Sequence, residues 1–398
     1  MISPLYRGSV KDLLGPAVAQ QTSAVVFEYS DAFSVFDWGR MPDLLPGKGQ
    51  ALAILAADIF EKLEKPDTWK EFSRSPVALA LRKSNRFGGI FNELGEELQS
   101  EGLRTHYLGV LDSAPAGALV QPKKLAQVHE PFRRLVVRQV SVIKPTLTSV
   151  LGRTLPDYYP TRSASLPKLV PLEVVFRFSC PEGSSLLKRV EKDAGYLASL
   201  GFSGRLFPGV TWDFPVLEVF TKLEATDRPL ALSEALAISG LSATQLQEVL
   251  LKTAWVGGLL RFWFLKLGIE LCDGKLEWGL GEDGKSFLVD AIGPDELRLM
   301  KNGIQLSKEF LRTHFRGTPW YVAVEKAKAQ AKSQGTVEWK RMVHESVPVL
   351  SAAHREVASQ VYLALTHEMT GRKWFGDAAW DLQKVLAELR RLKKGLDS

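Results

Sequence analysis

The 398-residue sequence predicts an α+β fold, and three observations carry that expectation. Short runs of β-branched and aromatic residues mark strands. Longer segments with apolar residues three and four apart mark helices. The two kinds are grouped along the chain, giving a small N-terminal sheet lobe over 1–142, a larger α+β lobe over 143–305 and a helical region over 306–398.

The elements follow in order. SAVVFEY at 23–29 predicts a strand. Leu52, Leu55, Ile59 and Leu63 predict an amphipathic helix over 48–64. RLVVRQVSVI at 134–143 predicts a second strand. The segment 145–170 carries Pro156, Pro160 and Pro167 and is expected to be a long excursion without regular structure. LEVVFRF at 172–178 returns to strand. Ser242 and Gln245 form a capping box ahead of a helix that ends near Gly268. A hairpin is expected over 275–290, then helices near 320–334, 352–370 (stopped by Gly371) and 377–394.

Composition narrows the function classes. Hydrophobic residues are 45% and charged residues 24%, values that support a large core and argue against general disorder. The net charge of +6 suits anionic small molecules. The two cysteines, Cys180 and Cys272, stand in no metal-binding spacing and suit a reducing cytoplasm. The most apolar stretch, 253–272, is interrupted by Arg261 and Lys266 and reads as a buried helix, so no membrane role is expected. The six histidines form no HExxH or other ligand spacing. The basic run at 388–396 reads as a solvated helix end, and no nucleic-acid partner is expected.

The most informative local pattern is KLEWGLGEDGKSFLVD. Asp283-Gly284 is a favoured two-residue hairpin turn. Centred there, the register pairs Glu282 with Lys285 and sets Glu277 opposite Asp290. Two facing carboxylates repel, and Mg²⁺ held by both would relieve them. A solvent-exposed pair that tolerates the repulsion is the alternative.

With IGPDELRL after it, this hairpin resembles the signature of the SAICAR synthetase family, at Lys275, Glu277, Trp278, Gly279, Asp290, Pro294, Asp295 and Arg298. LYRGSVK, SDAFSVFD, LPGKG, the strand pair LVVRQVSVI and PLEVVFR, GSSLLKR and FTKLEATDRP resemble further family segments in the same order, so the resemblance spans nearly the whole chain. It implies two sheet-containing lobes around an ATP cleft. It also implies an ATP-dependent ligase that joins the carboxylate of carboxyaminoimidazole ribotide to the amine of L-aspartate, through an acyl phosphate, in purine biosynthesis.

The resemblance also implies site residues. Lys222 and Asp295 would be catalytic. Gly8, Ser9, Lys11, Val140, Val142, Lys222, Glu277 and Asp290 would bind ATP, with Glu277 and Asp290 holding Mg²⁺. Asp31, Ser34, Asp37, Lys48, Arg177, Gly183, Ser184 and Arg298 would bind the ribotide or aspartate. The chain departs from the family pattern at Ser9, Ala32, Asp227, Arg228, Ala291 and Glu296. Two alternatives therefore stand: a related amide ligase with another carboxylate or amine, and a non-catalytic nucleotide-binding relative. A cytoplasmic monomer or homodimer is expected.

Overall fold

The computed structural model describes residues 3–15, 23–112, 121–334 and 338–394. The end of the basic run at 388–396 lies outside the described residues. The chain divides into two compact units. One comprises Met1–Ile59, Tyr107–Arg138 and Gly293–Ser398; the other comprises Phe60–His106 and Gln139–Ile292. Helices and sheets are mixed in the α+β manner expected.

The first unit holds a five-stranded antiparallel sheet in the order Ser3–Arg7, Lys11–Gly15, Ala24–Tyr29, Arg134–Arg138, Tyr107–Leu111. Val26 lies opposite both Leu14 and Val136. With Ala24 and Leu111 these residues form a small buried core, as the period-two pattern of a strand requires. The second expected strand stops at Arg138 rather than 143. Beyond it the chain passes to the other unit, where Leu169 N donates to Ser141 O at 2.9 Å.

Helices complete the first unit. Ser351 caps Ala352–Thr370 by accepting from His354 N, and Gly371 ends it with φ +66, the left-handed conformation that glycine takes without a Cβ clash. Phe33 and Phe315 stack at 6.2 Å, and Trp320 meets Trp38 edge-on at 5.4 Å. These rings tie the loop after Tyr29 to the helices Glu309–Arg316 and Pro319–Gln334.

In the second unit, Pro229–Leu230, Thr211–Thr221, Lys168–Ser179, Glu270–Leu280 and Ser286–Val289 form an antiparallel sheet. Lys168–Ser179 is buried almost end to end, so its sequence reads as a continuous apolar run. The capping box forms as expected: Gln245 N donates to Ser242 Oγ and Ser242 N to Gln245 Oε1. The helix behind it, Ala243–Lys266, places Trp255 on Phe91 with ring centroids 4.6 Å apart. Thr253 Oγ1 accepts from Trp278 Nε1 at 3.0 Å. Three helices, Pro66–Ser73, Pro76–Ser84 and Gly89–Glu101, were not read from the sequence. Two of them begin on a proline, a position whose missing N–H costs a helix nothing.

Two expectations need correction. The 145–170 segment is not irregular throughout: Thr146–Val150 pairs with Arg153–Asp157 in an exposed ribbon. Its turn, Leu151-Gly152, has φ of +50 and +74, and a leucine at such a position gives no turn signal. The 275–290 hairpin exists, but its loop has three residues, Glu282-Asp283-Gly284. Gly281 N donates to Lys285 O, and Gly284 takes φ +73. Asp283 Oδ1 accepts from Lys285 N and holds the extra residue in place. The register therefore moves by one, so that Glu277 pairs with Val289 and not with Asp290.

Candidate active site

In the second unit, Lys275 and Glu277 point to one face of their strand because they are two residues apart. The residue directly across from Glu277 on the neighbouring strand is Glu173. Lys222 follows immediately on the end of Thr211–Thr221, anchored by its N–H on Pro171 O. Its ammonium lies 2.5 Å from Glu277 Oε1 and 3.6 Å from Glu173 Oε2. Lys275 Nζ donates to Glu173 Oε2 at 2.8 Å.

Asp290 reaches this group by another route than strand register. Its φ of +69 turns the chain sharply where Ser286–Val289 ends, and its charge acts on Glu277, Lys222 and Glu173 together. The expected association of Glu277 with Asp290 is present, then, although the expected register is not.

Glu173, Glu277 and Asp290 thus gather around Lys222 and Lys275. Burial is the first cause that pushes the Glu277 carboxyl up to about 7, and Asp290 pushes in the same direction; Lys222 and Lys275 only partly offset them. Burial works to lower Lys222, but Glu277, Asp290 and Glu173 outweigh it and hold the ammonium protonated. Carboxylates crowded in this way raise one another's pKa, and a cation held between them would relieve the repulsion. Beside it, Val140 packs with Leu169, Leu223, Phe287 and Val289, where Leu223 follows Lys222 and Val289 precedes Asp290. Val142 is exposed and stands outside this apolar patch.

In the first unit, Gly8 N donates to Lys11 O, closing a tight turn. A Cβ on Gly8 would lie 2.3 Å from that oxygen, so only glycine fits. Lys11 Nζ sits 4.5 Å over the Phe27 ring, and Ser9 is part of the same turn. Asp31 accepts a two-pronged contact from Arg133 at 2.7 and 2.8 Å and a third from Gly49 N. Burial would raise the Asp31 carboxyl, but those donors lower it. Ser34 is half-buried in the same loop.

Lys48 is fully buried. It donates to Asp295 Oδ2 at 2.8 Å and to Ala32 O, while Tyr362 donates to Asp295 Oδ1 at 2.7 Å. Burial would raise Asp295, but Lys48 and Lys308 bring it down to about 2. Asp37 pairs with Lys328 at 2.8 Å.

A relative from Archaeoglobus fulgidus, provisionally named a phosphoribosylaminoimidazole-succinocarboxamide synthase, is 32% identical over 387 residues, covering 97% of this chain and 99% of the relative. The chain belongs to the SAICAR synthetase family. It is accordingly a ligase of purine biosynthesis. The SAICAR synthetase family model matches residues 161–327, which include Lys222, Glu277, Asp290, Asp295 and Arg298. The phosphoribosylaminoimidazole-succinocarboxamide synthase of Thermoplasma volcanium is 23% identical over 93% of this chain and 99% of its own. Among solved structures, SAICAR synthase from Saccharomyces cerevisiae complexed with SAICAR has a TM-score of 0.55 at 18% identity, covering 94% of this chain and 96% of that one. A SAICAR synthetase in complex with ADP has 0.51 at 20%, covering 92% and 98%. These two likenesses establish the shared fold.

Within this SAICAR synthetase fold, the expected grouping of Arg177 with Gly183 and Ser184 is not assembled as a phosphate grip. Arg177 donates from Nε to Glu218 at 2.5 Å and from Nη1 to Asp273 at 2.9 Å. Glu218 also accepts from Arg189 Nε and the Tyr196 hydroxyl, both at 2.9 Å. Ser184, following Gly183 at φ +75, caps the helix Ser185–Lys192. Four residues of the site were missed in the sequence. Glu173 sits in a strand from which only Arg177 was singled out, Lys275 appeared only as a motif letter, and Arg133 and Tyr362 carry no local pattern. Pairing across strands, which sequence alone does not fix, is what brings in Glu173.

Proposed function

We propose that this SAICAR synthetase relative uses ATP to join the carboxylate of carboxyaminoimidazole ribotide to the amine of L-aspartate. Support comes from family membership together with one observation: the buried carboxylates of Glu173 and Glu277 and the half-buried Asp290 gather around Lys222 and Lys275. Such a group is poised for a phosphate-bound cation. Glu277 and Asp290 would hold Mg²⁺, an all-oxygen donor set that suits it; when bound, the ion neutralises phosphate charge. The Val140 patch offers an apolar wall for a base, and Gly8, Ser9 and Lys11 offer backbone and ammonium donors to phosphate.

In the proposed chemistry a ribotide carboxylate oxygen attacks the γ-phosphorus, and the bond to ADP breaks. The aspartate nitrogen then attacks the acyl carbon. The carbon–oxygen bond to phosphate breaks, and phosphate leaves with one of the original carboxylate oxygens. Lys222, kept protonated, offsets charge on the transferring group. Asp295, kept ionised by Lys48, fixes that lysine beside the Ala32 carbonyl. Asp31, Ser34, Asp37 and Arg298 are the proposed substrate contacts of the first unit, and Lys48, buried on Asp295, supports the loop at Ala32. A cytoplasmic location accords with the absence, among the described residues, of any helix long and apolar enough to cross a membrane.

The test is ADP release by the purified protein with Mg-ATP, ribotide and L-aspartate, each omitted in turn. Strict dependence on all three supports the proposal. Release that ignores aspartate or the ribotide, or none at all, contradicts it.

A further inference from the structure

In the second unit, the 145–170 segment and Arg228, a position at which the chain departs from the family pattern, meet at one carboxylate, that of Glu224. The Tyr158 hydroxyl donates to Glu224 Oε1 at 2.8 Å. Arg228 Nε donates to Glu224 Oε2 at 3.0 Å and Arg228 Nη2 to Oε1 at 3.2 Å. The same guanidinium holds Glu234 at 2.7 Å. Glu224 therefore receives donors on both oxygens, a charge-assisted arrangement that holds its side chain in one place. It lies two residues beyond Lys222.

Both sides of this contact are anchored. Tyr158 is buried and immediately precedes the short helix Tyr159–Arg162. Lys168 is buried as well, and its ammonium donates to Arg162 O at 2.6 Å and Thr161 O at 3.5 Å, at the helix end where a cation is favoured. Thr161 Oγ1 donates to Ile143 O at 2.8 Å, and Arg162 Nη1 to Ala237 O at 3.3 Å. The next residue after Lys168, Leu169, belongs to the apolar patch with Val140 and Leu223. On the other side, Thr221 N donates to Arg228 O and Arg228 N to Thr221 Oγ1, both at 3.1 Å. These two bonds close the loop that carries Lys222. Three consecutive residues of that loop are thus fixed by different partners: Lys222 by Glu277, Leu223 by the patch, and Glu224 by Tyr158 and Arg228.

We propose that Tyr158 is a positioning residue for Lys222: through Glu224 it fixes the loop from which Lys222 meets the nucleotide phosphates, and Lys168 holds Tyr158 in place. The 145–170 segment thereby ties the Val140 patch and the Lys222 ammonium into one framework. Such a role matters because phosphoryl transfer takes placement and charge from the protein rather than covalent chemistry. That Lys222 meets a phosphate rests on the function proposed above.

The test is a double-mutant cycle on the full chain, read by calorimetric binding of the magnesium complex of the β,γ-imido analogue of ATP. Tyr158→Phe keeps the ring and removes the donor. It should weaken binding on the order of fivefold or more in the wild-type background, the scale of a directly coupled pair. In Lys222→Met, and in Glu224→Ala where the contact is already lost, it should add less than about twofold, because Tyr158 acts through those residues. Lys168→Met should follow Tyr158→Phe, and Arg153→Gln on the exposed ribbon should bind like the wild type. A merely structural tyrosine would weaken binding equally in all backgrounds. That result, or unchanged binding in Tyr158→Phe, or no binding by the wild type, would overturn the positioning role. Coupling that persists while ADP release ignores ribotide or aspartate would remove the ligase proposal alone. Strict dependence on all three substrates without coupling would remove only the positioning role.

Discussion

Two charge clusters lie in the same sheet of the second unit, and they are built to opposite plans. In the Arg177 cluster two guanidiniums face Glu218 and Asp273, and each carboxylate is taken up by hydrogen bonds. Burial works to raise Glu218, but Arg177 and Arg189 hold it below its ordinary range. In the Glu277 cluster Glu173, Glu277 and Asp290 crowd around Lys222 and Lys275, and Glu277 is pushed up to about 7. The first is closed and balanced. In the second, the open cluster, burial and the neighbouring carboxylates outweigh the lysines at Glu277. A buried arginine in a strand therefore need not be a ligand contact, whereas a buried carboxyl pushed up by its neighbours marks a candidate site.

Substitutions can break this contrast. The largest effect is expected at the open cluster. Glu277→Gln and Asp290→Asn should each lower the rate of ADP release about a hundredfold or more, the scale of losing one preorganised electrostatic partner. Both should retain most of their stability in urea, and wild-type turnover in either would remove the functional half of the comparison.

The closed cluster should show the reverse. Arg177→Met leaves Glu218 and Asp273 buried with reduced compensation and should cost about 3–5 kcal/mol in urea unfolding. A loss well under 1 kcal/mol, with a raised KM for ribotide, would instead make Arg177 a ligand residue.

The pH dependence of stability sharpens the contrast further. Glu277 has a folded pKa near 7, above its ordinary 4.5, so the native state binds the extra proton between those values. Its stabilising contribution is complete below about pH 4.5 and is lost as pH rises through 7. Glu277→Gln escapes that loss. Its stability relative to wild type should rise by on the order of 2 kcal/mol between pH 5 and 8, measured without nucleotide. A flat difference would mean that Glu277 is already ionised and compensated.

The smallest effect is expected at Tyr196→Phe, which removes one hydrogen bond to Glu218. A loss of about 1–2 kcal/mol with unchanged KM for ATP and ribotide would fit a purely structural network.

Much of this was legible in the sequence. The capping box at Ser242, the stop at Gly371 and the association of Glu277 with Asp290 follow from local chemistry. The register given for that association was wrong, because Glu282 joins the hairpin loop and adds one residue to it. Glu173, the residue truly opposite Glu277, depends on pairing between strands about a hundred positions apart, which no local pattern encodes. The helices starting at Pro66 and Pro76 were not read, although proline at the first helical position is a signal for them. The Leu151-Gly152 ribbon was not, since leucine is a poor predictor of left-handed backbone. Arg133 and Tyr362 entered the first unit's site only through tertiary packing.

The most direct test of the open-cluster account is nucleotide binding with and without magnesium, by calorimetry on wild type, Glu277→Gln and Asp290→Asn. The account predicts that Mg²⁺ tightens ADP binding to the wild type at least tenfold and that either substitution largely abolishes this gain. Equal magnesium dependence in all three proteins would contradict it.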